Sequence, residues 1–288
     1  MTRVAVLGLG AMGSRVARRL LDAGHDLAVW NRTAGKADAL VATGARRAES
    51  PGAAAGAAEV VITMLADPDA LRVVTEGPDG VAAGLRPGST VIEMSTVGPA
   101  AVVRLRDVLP AAAGLLDAPV LGSLAEAEGG TLNVFVGGPD DLVERWKPLL
   151  STVGRPLSVG PLGSGAAAKL VANSTMFGIL GVLGEALALA DGLGLSREAA
   201  FDVLAVTPVA AQAERRRPML ESGEYPPRFA LRLARKDADL LTAAADEAGV
   251  DLRIAAATRS WLADAEAAGL GDADYVAFLA HILSGARG

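Results

Sequence analysis

Cysteine is absent from the 288 residues, and histidine occurs only twice, at His25 and His281. Disulfides, thiolate metal sites and cysteine nucleophiles are thereby excluded, and two histidines so far apart supply neither a zinc cluster nor a Ser-His-Asp triad. No metal is expected. Aromatic residues are few (three Trp, two Tyr, five Phe), and acids outnumber bases by 33 to 27, for a net charge of −6. With no basic stripe to follow a phosphate backbone, nucleic acid is a poor partner, and a small molecule is the expected one. Lysine is scarce as well: Lys36, Lys147, Lys169 and Lys236 stand against 23 arginines. In a chain that writes its cations as Arg, each Lys is a candidate for a specific task. Long uncharged runs are also missing. The longest is the fifteen positions between Lys169 and Glu185, short of the roughly 18 that a bilayer span needs. No membrane partner is expected, and the chain reads as cytoplasmic.

Apolar residues are plentiful, at 51% with a mean hydropathy of +0.36, which excludes intrinsic disorder and suffices for one large or two ordinary domains. The first residues could pass for a signal peptide. Three glycines puncture the apolar run, however, and Arg15, Arg18 and Arg19 follow at once without a small-residue cleavage site. Val4 to Leu7 instead reads as a buried parallel strand turning into a helix. Alternating units follow: a helix to about Ala23, a strand Asp26 to Trp30, a helix from Lys36, a strand Val60 to Leu65, a helix near Leu71 and a strand Thr90 to Met94. Further strands are expected at Gly114 to Val120, Leu132 to Val136 and Pro156 to Val159, with an acidic helix at Asp140 to Leu150. This alternation predicts an α/β domain over residues 1–162 with a mostly parallel sheet. From Ser164 to Leu193 the pattern is one long helix, and residues 163–288 read as all-helical, with helices near Arg197 to Val206, Ala210 to Glu221, Ala230 to Ala248, Leu252 to Ala268 and Asp274 to Ser284. A helix of thirty residues is about 45 Å long, more than one small domain covers, so a homodimer through the helical domain is expected.

Gly8, Gly10 and Gly13 form G-x-G-x-x-G where the first strand meets the first helix. In that context the first glycine makes the turn, the second admits a pyrophosphate, and the third lets the helix pack closely, with Ala11 and Met12 opening the helix toward the phosphates. A bland glycine turn is the alternative. Eighteen residues beyond Gly13, where an NAD-selective site places an acid on the ribose 2′-hydroxyl, the chain reads Asn31, Arg32, Thr33. An Arg with two neutral donors suits a 2′-phosphate, so NADP is expected over NAD. Two more strand ends, at Leu65 and Ala66 and at Ser95 and Thr96, open at the same sheet edge and would line the nicotinamide side.

Gly165, Lys169 and Asn173 recur at intervals of four at the start of the long helix and share one face. Lys169 stands in an otherwise uncharged segment, where a lysine is held only if something needs it; a snorkelling side chain is the alternative. Hydride delivery to a carbonyl leaves an alkoxide, which an ammonium stabilises and protonates. Asn173 can hold the substrate or that lysine.

These residues resemble the β-hydroxyacid dehydrogenases, a family including 3-hydroxyisobutyrate dehydrogenase and the tartronate, succinic semialdehyde and glyoxylate reductases. The resemblance covers the whole chain. Its N-terminal signature looks like Gly8 to Gly13, and its substrate motif Asp-Ala-Pro-Val-Ser-Gly-Gly is similar to Asp117, Ala118, Pro119, Val120, Leu121, Gly122 and Ser123. Its catalytic motif Gly-x-Gly-x-x-x-Lys-x-x-x-Asn matches Gly163 and Gly165 through Lys169 to Asn173, and its Lys-Asp pair matches Lys236 and Asp237. The resemblance implies a Rossmann-type domain followed by an all-α domain, with Lys169 as general acid and Asn173 orienting the substrate. It also implies Ser95 or Thr96 beside the nicotinamide, Lys236 closing on the cofactor, and Leu121, Gly122, Ser123 and Asp237 toward the substrate. The chain departs from the family at Leu121, where a Ser donates to the substrate carboxylate, and at Ser123, where a second Gly belongs.

The expected activity is therefore NADP-dependent reduction of a short aldehyde acid, or its reverse. Imine reductases share the fold and prefer apolar pockets but usually replace the Lys. A non-catalytic NADP-binding protein would keep the glycines and lose Lys169. His25, the Glu214 to Arg217 segment, Trp261 and Tyr275 are expected to serve surface or packing, with Glu214 to Arg217 on a solvated helix face.

Overall fold

In the computed structural model, which describes residues 1–285, the first strand β1 (Arg3–Leu7) is buried along all but its first residue. It pairs in parallel with β2 (Asp26–Trp30) on one side and β4 (Val60–Thr63) on the other. β3 (Arg46–Arg47) extends the sheet beyond β2, and β5 (Thr90–Glu93) and β6 (Gly114–Asp117) follow β4, all in parallel. β7 (Val120–Leu121), β8 (Leu132–Gly137) and β9 (Gly154–Gly160) complete the nine-stranded sheet, in the order β3-β2-β1-β4-β5-β6-β8-β7 with β9 on β8. Successive side chains on a strand point to opposite faces, and the core follows. Val4, Val6, Leu27, Val29, Ile62 and Ile92 enter one apolar cluster, while Ala5, Leu7, Ala28, Val61 and Val91 enter another. Both faces are buried, which is why these strands read as continuous apolar runs rather than alternating ones.

The strand expected over Gly114 to Val120 is two. β6 ends at Asp117, and β7 starts at Val120 and runs antiparallel to β8, with Val120 opposite Val134. Pro119 lies at the break, where a residue without an N–H cannot extend a ladder. The first helix, Ala11–Asp22, buries Gly13, Val16, Ala17 and Leu20, the spacing of a helix with one apolar face.

The chain divides into two compact units, Met1–Lys169 and a second from Leu170 onward. The last three residues of the expected helical domain lie outside the described residues. The long helix spans Ser164–Gly192 and is apolar enough by length and composition alone to cross a membrane, although the uncharged run by itself falls short; half of its most apolar window is buried within the chain. The remaining helices of the second unit are Arg197–Leu204, Ala210–Ser222, Leu231–Glu247, Arg253–Ala265 and Ala277–Gly285. The helix expected to run on to Ala268 widens into a π turn at Glu266–Leu270, where Gly269 takes a φ of 89°. The last helix starts at Ala277 rather than Asp274, because the Asp274 carboxylate accepts from the N–H groups of Arg228, Phe229 and Val276. Arg216 corrects the expectation of a solvated face. Its side chain is buried and donates to the Tyr275 hydroxyl at 2.7 Å, with the guanidinium 5.4 Å from the Tyr275 ring centroid.

Candidate active site

β1 is where the strand order reverses, the position at which open parallel sheets leave a crevice beyond the strand ends. The three glycines at that edge serve distinct needs. Gly8 has a φ of +98°, and a Cβ there would strike the Met64 carbonyl; a Cβ on Gly13 would strike the carbonyl of Gly8. These two glycines let the loop and the first helix pack on the strands. At Gly10, by contrast, a Cβ would meet nothing in the chain, and no side chain caps the helix that begins there. The open space beside unpaired N–H groups at a helix start fits a pyrophosphate. Ala11 and Gly10 are exposed and Met12 half-buried. Asn31 ties this loop to the next: its Oδ1 accepts from the Leu9 N–H at 2.9 Å and its Nδ2 donates to the Thr33 carbonyl at 3.0 Å. Arg32 and Thr33 are exposed beyond it.

Leu65 and Ala66 follow β4, and Ser95 and Thr96 follow β5, so the parallel pairing brings the two expected nicotinamide loops side by side. Ser95 is buried, and its hydroxyl accepts from the Leu65 N–H at 2.8 Å. A buried carboxylate that the sequence reading did not single out lies beneath. Glu93 Oε1 accepts from the Ser95 N–H at 2.6 Å, and Oε2 accepts from the Thr63 hydroxyl. Only the register of β4 against β5, which puts Thr63 opposite Glu93, reveals that link.

Asp117 ends β6 fully buried, and its two oxygens accept from the N–H groups of Gly163 at 2.8 Å and Ala166 at 2.7 Å, at the start of the long helix. Burial pushes its carboxyl above the usual carboxylate range, and the backbone donors at the helix start oppose that shift. A Cβ on Gly137 or Gly165 would run into Asp117. Lys169, half-buried, follows Gly165 by one turn.

Leu121 is half-buried and Gly122 exposed at the next turn, where Gly122 has a φ of +147°. Ser123 opens the short helix Leu124–Gly129, which the sequence reading did not anticipate. Both its N–H, at 2.8 Å, and its hydroxyl donate to Glu126 Oε2. The signal was present as S-x-x-E, the spacing of a capping box.

In the second unit Asn173 is fully buried and its Nδ2 donates to Asp237 Oδ2 at 2.9 Å. The other oxygen of Asp237 lies 2.6 Å from the ammonium of Lys236. Lys236, Asp237 and Asn173 therefore form one continuous polar chain. Asn173 Oδ1 is buried and meets no hydrogen-bond partner among the described residues. A buried amide oxygen costs free energy until something donates to it.

A glycine-bearing loop at the switch point of a parallel sheet, followed by a helical unit in which a half-buried Lys meets a buried Asp-Asn pair, defines a nucleotide-dependent oxidoreductase. A model described as the NAD binding domain of 6-phosphogluconate dehydrogenase matches residues 3–165. Another, described as the NAD-binding of NADP-dependent 3-hydroxyisobutyrate dehydrogenase, matches residues 163–282. The chain is 34% identical over 279 residues to glyoxylate/succinic semialdehyde reductase 1 of Arabidopsis thaliana, covering 96% of each chain. It is 35% identical over 287 residues to 3-sulfolactaldehyde reductase of Escherichia coli, covering 98% of this chain and 96% of that one. Among solved structures, 3-hydroxyisobutyrate dehydrogenase of Mycobacterium tuberculosis with L-serine superposes with a TM-score of 0.88 at 28% identity, covering 98% of this chain and 99% of the other. The chain belongs to the 3-hydroxyisobutyrate dehydrogenase-type family of NAD(P)-binding oxidoreductases, and it is an enzyme acting on a small molecule.

Proposed function

We propose that the enzyme reduces a short aldehyde acid of the semialdehyde or glyoxylate type to the hydroxy acid, or runs the reverse, with NADPH preferred over NADH. The observation that carries this reading is the placement of Lys169, the charged residue of an otherwise uncharged sequence stretch, set by the Asp117-anchored helix start one turn before the buried Asn173. The nicotinamide, when bound, supplies the hydride. Lys169 stabilises the oxygen anion that forms on the substrate and donates its Nζ proton to it. Asn173 Oδ1, buried without a partner among the described residues, suits a substrate hydroxyl or the Lys169 ammonium. Asp237, between Asn173 and Lys236, acts in this reading by holding both rather than by touching substrate.

The same proposal gives the cofactor to Gly8, Gly10, Ala11, Met12, Gly13, Asn31, Arg32 and Thr33. Leu65, Ala66, Ser95 and Thr96 take its nicotinamide end, and Lys236 closes on it. Leu121 to Ser123 face the substrate's acid group, and the hydroxyl missing at Leu121 makes that grip loose. Residues 1–162 bind the cofactor and those from 163 onward bind substrate and pair two copies in the cytoplasm. Val171, Val182 and Leu189, exposed on the long helix, support the pairing.

Oxidation of NADPH and of NADH with short aldehyde acids, plain aldehydes and cyclic imines tests the proposal. NADPH-linked turnover of aldehydes is expected. Turnover of cyclic imines with no aldehyde reduced would overturn it.

A further inference from the structure

The loops after β4 and β5 are fastened to one buried acid. Glu93 closes β5 at 1% exposure; its Oε1 accepts from the Ser95 N–H at 2.6 Å and its Oε2 from the hydroxyl of Thr63, itself fully buried at the end of β4. Ser95 passes the hold across, since its hydroxyl accepts from the Leu65 N–H at 2.8 Å. The loop so fastened lies against the glycine loop. A Cβ on Gly8 would come 2.9 Å from Leu65 Cδ2, and one on Gly13 would come 3.3 Å from Met64 Cβ.

The strand order says which half of a dinucleotide these loops meet. In a sheet that runs β3-β2-β1-β4-β5, the cofactor spans the switch point at β1, with the adenosine ribose beyond the end of β2 and the other nucleotide on the β4 side. We propose that Glu93 is a positioning residue for the nicotinamide. Buried beneath the loops, it touches no cofactor itself and acts through Ser95, holding both loops in the arrangement that binds the nicotinamide end. The inference rests on the cofactor placement proposed above and deepens it. Two physical reasons support it. A buried N–H or hydroxyl that loses its acceptor costs free energy, so the segment bearing it moves to find another. A loop that holds its binding arrangement only part of the time then lowers the apparent affinity by that fraction.

The test titrates the protein, without substrate, with NADPH and with adenosine 2′,5′-bisphosphate, which carries the adenosine end and lacks the nicotinamide. Glu93→Met keeps the length of the side chain and removes both acceptors. It is expected to raise the dissociation constant of NADPH roughly tenfold, the weight of one hydrogen bond to a charged group, and that of the bisphosphate by less than about twofold. Glu93→Gln is expected to recover most of the loss, because its amide oxygen still accepts from the Ser95 N–H while the Thr63 hydroxyl turns to accept from the amide nitrogen. Thr63→Val cuts the same link from below and is expected to shift the ratio of the two constants in the same direction, which decides the matter if Glu93→Met does not fold. If both ligands weaken alike, Glu93 is merely structural, and if neither weakens it is idle; either result overturns the inference. A loss in Glu93→Gln equal to that in Glu93→Met assigns the effect to charge rather than to the two hydrogen bonds and overturns it as well. No aldehyde enters these titrations, so the aldehyde-reductase reading can fail while this inference stands. If the wild type holds NADH more tightly than NADPH, the pair compared is NADH and ADP.

Discussion

The amide nitrogen of Asn173 donates to the carboxylate of Asp237 across 2.9 Å, joining residues 64 positions apart inside the helical unit. Asp237 in turn holds the Lys236 ammonium at 2.6 Å. One buried carboxylate therefore orients an amide and a lysine that the family resemblance places on substrate and cofactor respectively. A double-mutant cycle with Asn173→Ala and Asp237→Ala should give a coupling of about 1 kcal/mol or more in urea denaturation, since contacting residues in one network are non-additive. Additivity within about 0.5 kcal/mol would mean that the bond contributes nothing to the fold.

Lys169→Ala should cost on the order of 10² to 10⁴ in kcat, the usual worth of a positioned proton donor. Cofactor affinity should change little, because the lost interaction is made at the reacting oxygen. Fluorescence titration with NADPH beside steady-state kinetics separates the two. Near wild-type turnover would make Lys169 structural.

Arg32→Ala should weaken NADPH by roughly tenfold or more and NADH hardly at all, because a hydrogen bond to a charged group is worth about 1.5 to 3 kcal/mol. Dissociation constants for both cofactors are the measurement. Equal losses for the two would remove Arg32 from the 2′-phosphate.

Asp117 supplies a pH dependence with a definite sign. Its carboxyl is raised in the folded chain, first by burial, against the opposing pull of the Ala166 and Gly163 N–H groups. A folded value above the unfolded one means that the native state binds the extra proton, so this group's contribution is complete below the unfolded pKa and is lost as pH rises through the folded one. The stability of the wild type relative to Asp117→Asn should therefore increase as pH is lowered from neutral. Urea midpoints of both proteins across that range give the difference, and a flat difference contradicts the assignment.

Much of the architecture is legible because burial on both sheet faces writes each central strand as a short apolar block. The same rule hides the edge. β7 is two residues long, and it carries on against β8 in the antiparallel register that Asp117 of β6 begins opposite Gly137, with the strand broken only at Ala118 and Pro119, a turn from parallel to antiparallel neighbour that no periodicity encodes. In the site, the glycines, Arg32 and Lys169 stand out because each is unusual for its surroundings. Glu93 does not, since a glutamate at a strand end looks like a surface residue until the register sets Thr63 beside it and the chain folds Ser95 over it. Arg216 misled for the converse reason. Three consecutive arginines read as a solvated face, yet a helix turns each by about 100°, and the middle one points inward to Tyr275.

Glu93, Ser95 and Leu65 bear on any attempt to re-engineer the proposed nicotinamide loops of this enzyme. The loop after β4 is contiguous in sequence and invites replacement as a block, but the N–H of Leu65 is held by a hydroxyl thirty residues downstream, and the residue bearing that hydroxyl is held through its own N–H by Glu93. A graft that imports one loop without the other would arrive with its fastening cut. The exchangeable cassette is a pair of loops and the acid beneath them, and recombination libraries with a crossover between Leu65 and Glu93 should be poor in working progeny.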